Sequence, residues 1–186
     1  MKNTIKDIGG VVVDVIFTLI MINLIGYALL CLMAYSASAD EVLTPDERIV
    51  ALTILGEARG EKQLGMYGVA CVIQERSIKR KLTPAQVCHQ PWQFEIWNAG
   101  KGKIKKEKEL WYLWDSPSKM YARKLARHLC GGDALVRSTV GNADHYCTLR
   151  TKPYWSYKKV KKDGKIIKVA IKPVAIIKNH KFYKLR

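Results

Sequence analysis

The segment Gly56-Glu57-Ala58-Arg59-Gly60-Glu61 gathers two carboxylates and a guanidinium between two helix-breaking glycines. Upstream of it, Ile49, Leu52, Ile54 and Leu55 recur at helical spacing, so Glu57 is expected near the C-terminal end of an apolar helix. The negative end of the helix dipole disfavours ionisation there, and burial beside the apolar stripe acts in the same direction. Glu61 stands four residues on and adds like-charge repulsion if helical geometry persists; Arg59 opposes both effects if it folds back. A carboxyl that keeps its proton near neutral pH is what cleavage of a glycosidic bond asks of its acid. Glu57 is the candidate for that work. A solvated glutamate at a helix end is the plainer reading of the same features.

The elements that must position Glu57 are legible around it. Thr44-Pro45-Asp46-Glu47 reads as a helix start, with Thr44 as N-cap, Pro45 at the first helical position and Glu47 closing a capping box. A second helix is predicted over 63–79, from the apolar surface of Leu64, Tyr67, Val69, Ala70, Val72 and Ile73. Thr83-Pro84 starts a short third helix through Val87, and 89–103 reads as a loop. A further helix is expected from near Ser116-Pro117 to Leu129, stopped by Gly131-Gly132. Beyond Gly141 the pattern changes to extended chain. An Asp163-Gly164 turn sits between basic, β-branched segments, which is a hairpin signal, and Val169, Ile171, Val174 and Ile176 continue the extended pattern. The fold class is therefore α+β and mainly α: one domain with a small C-terminal β region, preceded by an N-terminal hydrophobic helix.

With 186 residues, the chain has room for one compact domain and an N-terminal segment. Its formal net charge of +16 comes from 32 Lys+Arg against 16 Asp+Glu, and it points to a polyanionic partner without choosing among them. Lys2 and Lys6 precede an apolar run from Val15 to Tyr35, and Ala37-Ser38-Ala39 follows it in the small-x-small pattern of a signal-peptidase site. Residues 1–39 are read as a signal peptide or a signal anchor, and 40–186 as the functional domain. If uncleaved, 11–35 would engage the inner membrane with the N-terminus inside, leaving the domain in the periplasm or cell wall. Cys71, Cys88, Cys130 and Cys147 remain in the exported part, and export permits disulfides whose pairing the sequence does not rank.

The six-residue segment and its sequel, Gly65, Gly68-Val69-Ala70, Val72-Ile73 and Arg76, resemble the opening motif of the cell-wall hydrolase family that includes the spore-cortex-lytic enzymes. The likeness continues through Gln90-Pro91-Trp92-Gln93-Phe94 with Trp97, then Ala143-Asp144-His145-Tyr146, Pro153-Tyr154-Trp155 and Asn179-His180-Lys181-Phe182-Tyr183. It covers roughly 44–186. The resemblance implies a lysozyme-like fold, related to that of lytic transglycosylases, with the catalytic glutamate at Glu57. It implies cleavage of peptidoglycan between N-acetylmuramic acid and N-acetylglucosamine, with the muramic 6-hydroxyl closing onto the anomeric carbon, so that one carboxyl suffices. Phe94, Tyr146 and Trp155 are then expected to stack on sugar rings, and Gln93 and His145 to hydrogen-bond acetamido or hydroxyl groups. His180 joins this substrate-binding set, with a structural role as the alternative. Glu61 and Arg76 are supporting residues, Arg76 by tying helices together. The protein is expected to act as a monomer on peptidoglycan, without cofactor or metal and without nucleic acid as partner. A phage endolysin and a bacterial remodelling enzyme both suit the pattern. The basic segment from Lys158 to Lys172 departs from the family as an insertion, and Cys147 departs from it by standing where many relatives have a further polar residue after the Tyr.

Two rivals come from other classes. A metal hydrolase would draw on His89, His128, His145 and His180 with Cys88, Cys130 and Cys147, but their spacings match no recurring zinc motif. A non-catalytic binding protein would use the lysines interleaved with Trp111, Tyr112, Trp114 and Tyr121; export argues against nucleic acid as its partner, and a membrane-tethered wall-binding module is the form that remains.

Overall fold

The computed structural model describes residues 17–30 and 42–185. The chain divides into two units, Met1–Val42 and Leu43–Arg186.

In the first unit residues 17–30 form a helix, α1, whose apolar side chains, including Phe17, Ile22, Leu24 and Leu30, are exposed. Among the described residues no helix is long and apolar enough to cross a membrane. The expectation of a membrane anchor over 11–35 is not supported among the described residues, and 11–16 and 31–35 lie outside them. Lys2, Lys6 and Ala37-Ser38-Ala39 lie outside the described residues.

The second unit is α+β and mainly helical, as the sequence pattern predicts. Helix α2 (Pro45–Ala58) starts with the expected capping box: the Thr44 hydroxyl accepts from the Glu47 amide, and the Glu47 carboxylate accepts from the Thr44 amide at 2.8 Å. Such a cap stabilises a helix by about 1 kcal/mol. The sequence suggests one buried stripe on α2, yet every residue from Val50 to Leu55 is buried. A helix apolar on all sides belongs in the middle of a domain, and α3 (Lys62–Arg80), α4 (Pro84–Cys88) and α5 (Lys119–Cys130) pack around it. The polar Thr53 is accommodated because its hydroxyl donates to the Ile49 carbonyl and accepts from Trp97 Nε1 at 2.7 Å. Trp97, fully buried, thereby pins the 89–103 segment to the central helix.

Beyond α5 the chain forms five strands. Strand β1 (His145–Thr148) pairs with β5 (His180–Tyr183), which pairs with β4 (Ala175–Ile177), giving an antiparallel sheet of order β1-β5-β4. This pairing joins two segments the sequence does not mark as partners. Strands β2 (Tyr157–Lys162) and β3 (Lys165–Ala170) form the expected hairpin, with Asp163 and Gly164 both at positive φ as a two-residue turn of that kind needs. A 3-10 helix over Glu107–Asp115, which lacks a clear period in the sequence, buries Leu110 and Leu113.

Candidate active site

Glu57 stands one residue before the end of α2 and is partly buried. Its two carboxylate oxygens are held separately. Oε1 accepts the backbone N–H of Ile96 at 3.2 Å, and Oε2 accepts the Tyr146 hydroxyl at 2.7 Å. Two donors from distant parts of the chain thus fix both the position and the rotation of one carboxyl.

The Ile96 contact depends on Gly56. A Cβ at that position would lie 2.3 Å from Ile96 Cγ1, so only glycine lets the 95–97 turn come down onto the helix end. Tyr146 is supplied by β1. Burial first, and then the charge of the neighbouring Glu57, push its hydroxyl well above the ordinary tyrosine range, so it remains a protonated donor.

Strand alternation decides which of the expected residues face Glu57. The pairs Tyr146↔Phe182 and Thr148↔His180 place Tyr146, Phe182 and His180 on one face of the sheet. There the Tyr146 ring meets those of His180 and Phe182 at 5.2 and 5.9 Å. This face lies on α3 at Gly68, where a Cβ would stand 2.6 Å from Phe182 Cζ. Burial pushes the His180 imidazole below its usual range against the opposing charges of Glu61 and Glu57, and its Nδ1 is buried with no hydrogen-bond partner. Burial thus favours the uncharged imidazole, whose ring lies against that of Tyr146.

His145 is the neighbour of Tyr146 in sequence, but it points to the other face. It packs on Trp155 at 5.0 Å, and Trp155 packs on Tyr183 at 5.4 Å. The expected sugar-binding set is thus divided by the sheet, with Tyr146 and His180 beside Glu57 and His145 and Trp155 behind them. Phe94 is a clearer correction. At 2 % exposure it is a core residue with Arg76 over its ring at 5.1 Å, so it offers no surface on which a sugar can stack. Gln93 is held through its carbonyl, which accepts from Arg76 at 3.3 Å.

Arg76 ties these parts together. It is buried in α3, and its Nε donates to the Asp144 carbonyl at 2.7 Å, joining the Gln93-Phe94 loop to the start of β1. Glu61 does not repel Glu57 along a shared helix face. Helix α2 stops at Ala58, a short 3-10 turn follows, and Lys62 takes a positive φ, which redirects the chain. The Glu61 carboxylate instead accepts the backbone N–H of Asn179 at 2.9 Å and its side-chain amide at 3.1 Å, clamping the turn before β5 and hence the position of His180.

Asp144 is the positioning residue that sequence reasoning missed, although it sits inside the quoted Ala143–Tyr146 block. Its oxygens meet His145 Nδ1 at 2.9 Å, Lys79 Nζ at 2.9 Å and the Leu185 amide at 3.0 Å. Burial would raise its pKa, but these partners outweigh that and hold it at about 2. Lys79 also reaches Glu75 at 3.3 Å, and Glu75 pairs with Arg137. The one available signal was the run Asp144-His145-Tyr146 itself.

Among the described residues no group of three or more His, Cys, Asp or Glu side chains gathers as a metal site. His128 pairs with Asp133 at 3.0 Å, and His89 packs edge-on against Trp97. Cys71, Cys88, Cys130 and Cys147 are free thiols. Burial pushes Cys71 and Cys88 up to about 12 and Cys130 to about 11, far from the reactive thiolate range.

A single carboxyl gripped through both oxygens has the geometry for proton transfer to a bound substrate. A family model described as cell wall hydrolase matches residues 60–183. The chain belongs to the cell wall hydrolase family. Comparisons with curated proteins and with solved structures returned no match. The family match spans Glu61, Arg76, Gln93, Phe94, Ile96, Asp144, Tyr146 and His180, and begins three residues after Glu57. Glu57 is joined to the matched region of this cell wall hydrolase by its two hydrogen-bond donors, both of which lie within it.

Proposed function

We propose that this cell wall hydrolase cleaves the glycan strand of peptidoglycan between N-acetylmuramic acid and N-acetylglucosamine, as a lytic transglycosylase on a lysozyme-like scaffold, with Glu57 as general acid. The observation that carries this reading is the grip of the Tyr146 hydroxyl and the Ile96 amide on the Glu57 carboxyl. Fixed in rotation, the carboxyl presents its proton in one direction, toward a glycosidic oxygen lying over the end of α2. Once the proton has left, the two donors receive the carboxylate. The same carboxylate then takes the proton of the muramic 6-hydroxyl as that oxygen closes onto the anomeric carbon, which yields an anhydro sugar and restores the acid.

A two-carboxylate glycosidase needs a second, unencumbered carboxylate to activate water or attack the sugar. Glu61 is engaged by Asn179, and Glu75 by Lys79 and Arg137. This supports one-carboxyl chemistry. In this reading Tyr146 and His180, the latter buried, hold Glu57 in place from the sheet side, and Gln93, Arg76, Asp144 and Glu61 position them. Peptidoglycan lies outside the cytoplasmic membrane, so the proposal carries export of the 40–186 domain with it.

Mass spectrometry of digested peptidoglycan tests the reaction. Anhydro-muramic ends are expected. Reducing muramic ends would make the enzyme a hydrolytic muramidase, and new free amino groups on intact glycans would overturn glycan cleavage altogether.

A further inference from the structure

The β2–β3 ribbon stands apart from the site chemistry. Every residue of β3 is exposed, and in β2 every residue but Val160. The ribbon carries Lys158, Lys159, Lys161, Lys162, Lys165 and Lys168, with Asp163 in the turn as its one acidic residue. Its register sets Lys159 directly opposite Lys168, and Lys162 directly opposite Lys165. Like charges facing each other across an antiparallel pair are destabilising, and a ribbon without a core beneath it has little to offset them. Among the described residues no carboxylate pairs with any of these lysines. Anions between the opposed ammonium groups would relieve that repulsion.

The apolar residues indicate which anions. Val160 pairs with Ile167, and Val169 lies on the same face one pair along, so the three make a cross-strand apolar strip. On that face Lys158 lies at one end, and Lys162 and Lys165 at the other. Ile167 is 40 % and Val169 36 % exposed, while Ile166 on the opposite face is 72 % exposed. A soluble polyanion would satisfy the lysines and leave the strip in water. An anionic bilayer satisfies both, since headgroup phosphates take Lys158, Lys162 and Lys165, which share the strip's face, while the strip between them enters the headgroup–acyl boundary; Lys159, Lys161 and Lys168 lie on the other face. We propose that the β2–β3 ribbon is a docking surface for an anionic phospholipid bilayer, holding the catalytic unit at the membrane face next to the wall.

The test is co-sedimentation of the full-length protein with vesicles of phosphatidylcholine alone and of phosphatidylcholine with phosphatidylglycerol. Wild type is compared with a variant carrying Lys158→Gln, Lys162→Gln and Lys165→Gln, and with a second carrying Ile167→Ser and Val169→Ser. All three proteins share helix α1, so its contribution cancels, and thermal melting checks that the fold is kept. The triple lysine variant is expected to bind phosphatidylglycerol vesicles at least tenfold more weakly, and the apolar variant about threefold or more. Binding to neutral vesicles should be the same for all three. Equal affinity of wild type and lysine variant would overturn the proposal. So would an unchanged apolar variant together with full competition by a soluble phosphodiester polymer, because the partner would then be the polymer. These readouts need no glycan cleavage, so failure of the proposed reaction and failure of the docking surface are distinguishable.

Discussion

The two β regions of this cell wall hydrolase are built on opposite terms. Strands β1, β5 and β4 are short, and β5 is nearly all buried; their side chains are committed to α3, to Glu57 and to the Asp144 network. Strands β2 and β3 are longer and regular, yet they expose almost everything they carry. The strong local hairpin signal belongs to the ribbon that needs no core, whereas the sheet that shapes the site has weak local signals and depends on packing. Precision at the carboxyl comes from side chains with no freedom left. The ribbon's chemistry is a distribution of charge, which asks only for a scaffold.

The largest expected contrast comes from Glu57→Gln. Release of soluble muropeptides should fall by about 10²–10⁴-fold, with little change in melting temperature, while the ribbon lysine variant should retain cleavage of soluble glycan fragments. If both lose activity equally, the separation of the two regions fails. Tyr146→Phe removes one of the two donors and leaves the ring packing in place. A tenfold to hundredfold loss in kcat is expected, on the order of a hydrogen bond to a charged group. Wild-type kcat would show that the Ile96 amide alone holds the carboxyl.

Gly68→Ala probes how tightly the β1-β5-β4 sheet lies on α3. Its Cβ would stand 2.6 Å from Phe182 Cζ, and the overpacking should destabilise the protein by about 1–3 kcal/mol in chemical denaturation. The ribbon offers a control in Gly164, where a Cβ meets nothing within 4 Å, although the positive φ there still penalises a side chain.

Asp144 sharpens the contrast through pH. Its folded pKa of about 2 lies below the ordinary value of 3.8, so its stabilising contribution is full above about pH 4 and is lost as pH falls toward 2. Asp144→Asn should lower stability at neutral pH and flatten that acid limb in melting curves between pH 2 and 4. No change in the limb would place the acid sensitivity elsewhere. The smallest effect is expected at the ribbon. Lys168→Glu turns the Lys159↔Lys168 repulsion into an attraction and should raise stability by a few tenths of a kcal/mol, an increment that added salt diminishes.

Much of the helical frame was legible because its signals are local. Thr44 and Thr83 each head a capping box, and Asp163-Gly164 marks a turn that requires positive φ. Helix α3 spans Lys62–Arg80 against a prediction of 63–79. The apolar run before Glu57 placed that residue at a helix end, and the ordered blocks downstream pointed to the family. Less legible was the fate of each apolar or charged side chain. Phe94 lies in the core, and Glu61 grips Asn179 instead of tuning Glu57, because the chain turns at Ala58 and Lys62.

By itself, then, the sequence determined where helices start, where the ribbon turns and which glutamate ends the central helix, since each depends on residues within a few positions of one another. The tertiary structure alone decided that Ile96 and Tyr146, 39 and 89 positions away, close on the two oxygens of Glu57. It also decided that His145 and Tyr146 part to opposite faces of the sheet, since that depends on which face of β1 packs on α3. Gly56 and Gly68 belong to both accounts: the glycines are visible in the sequence, but the atoms they make room for are visible only in the fold.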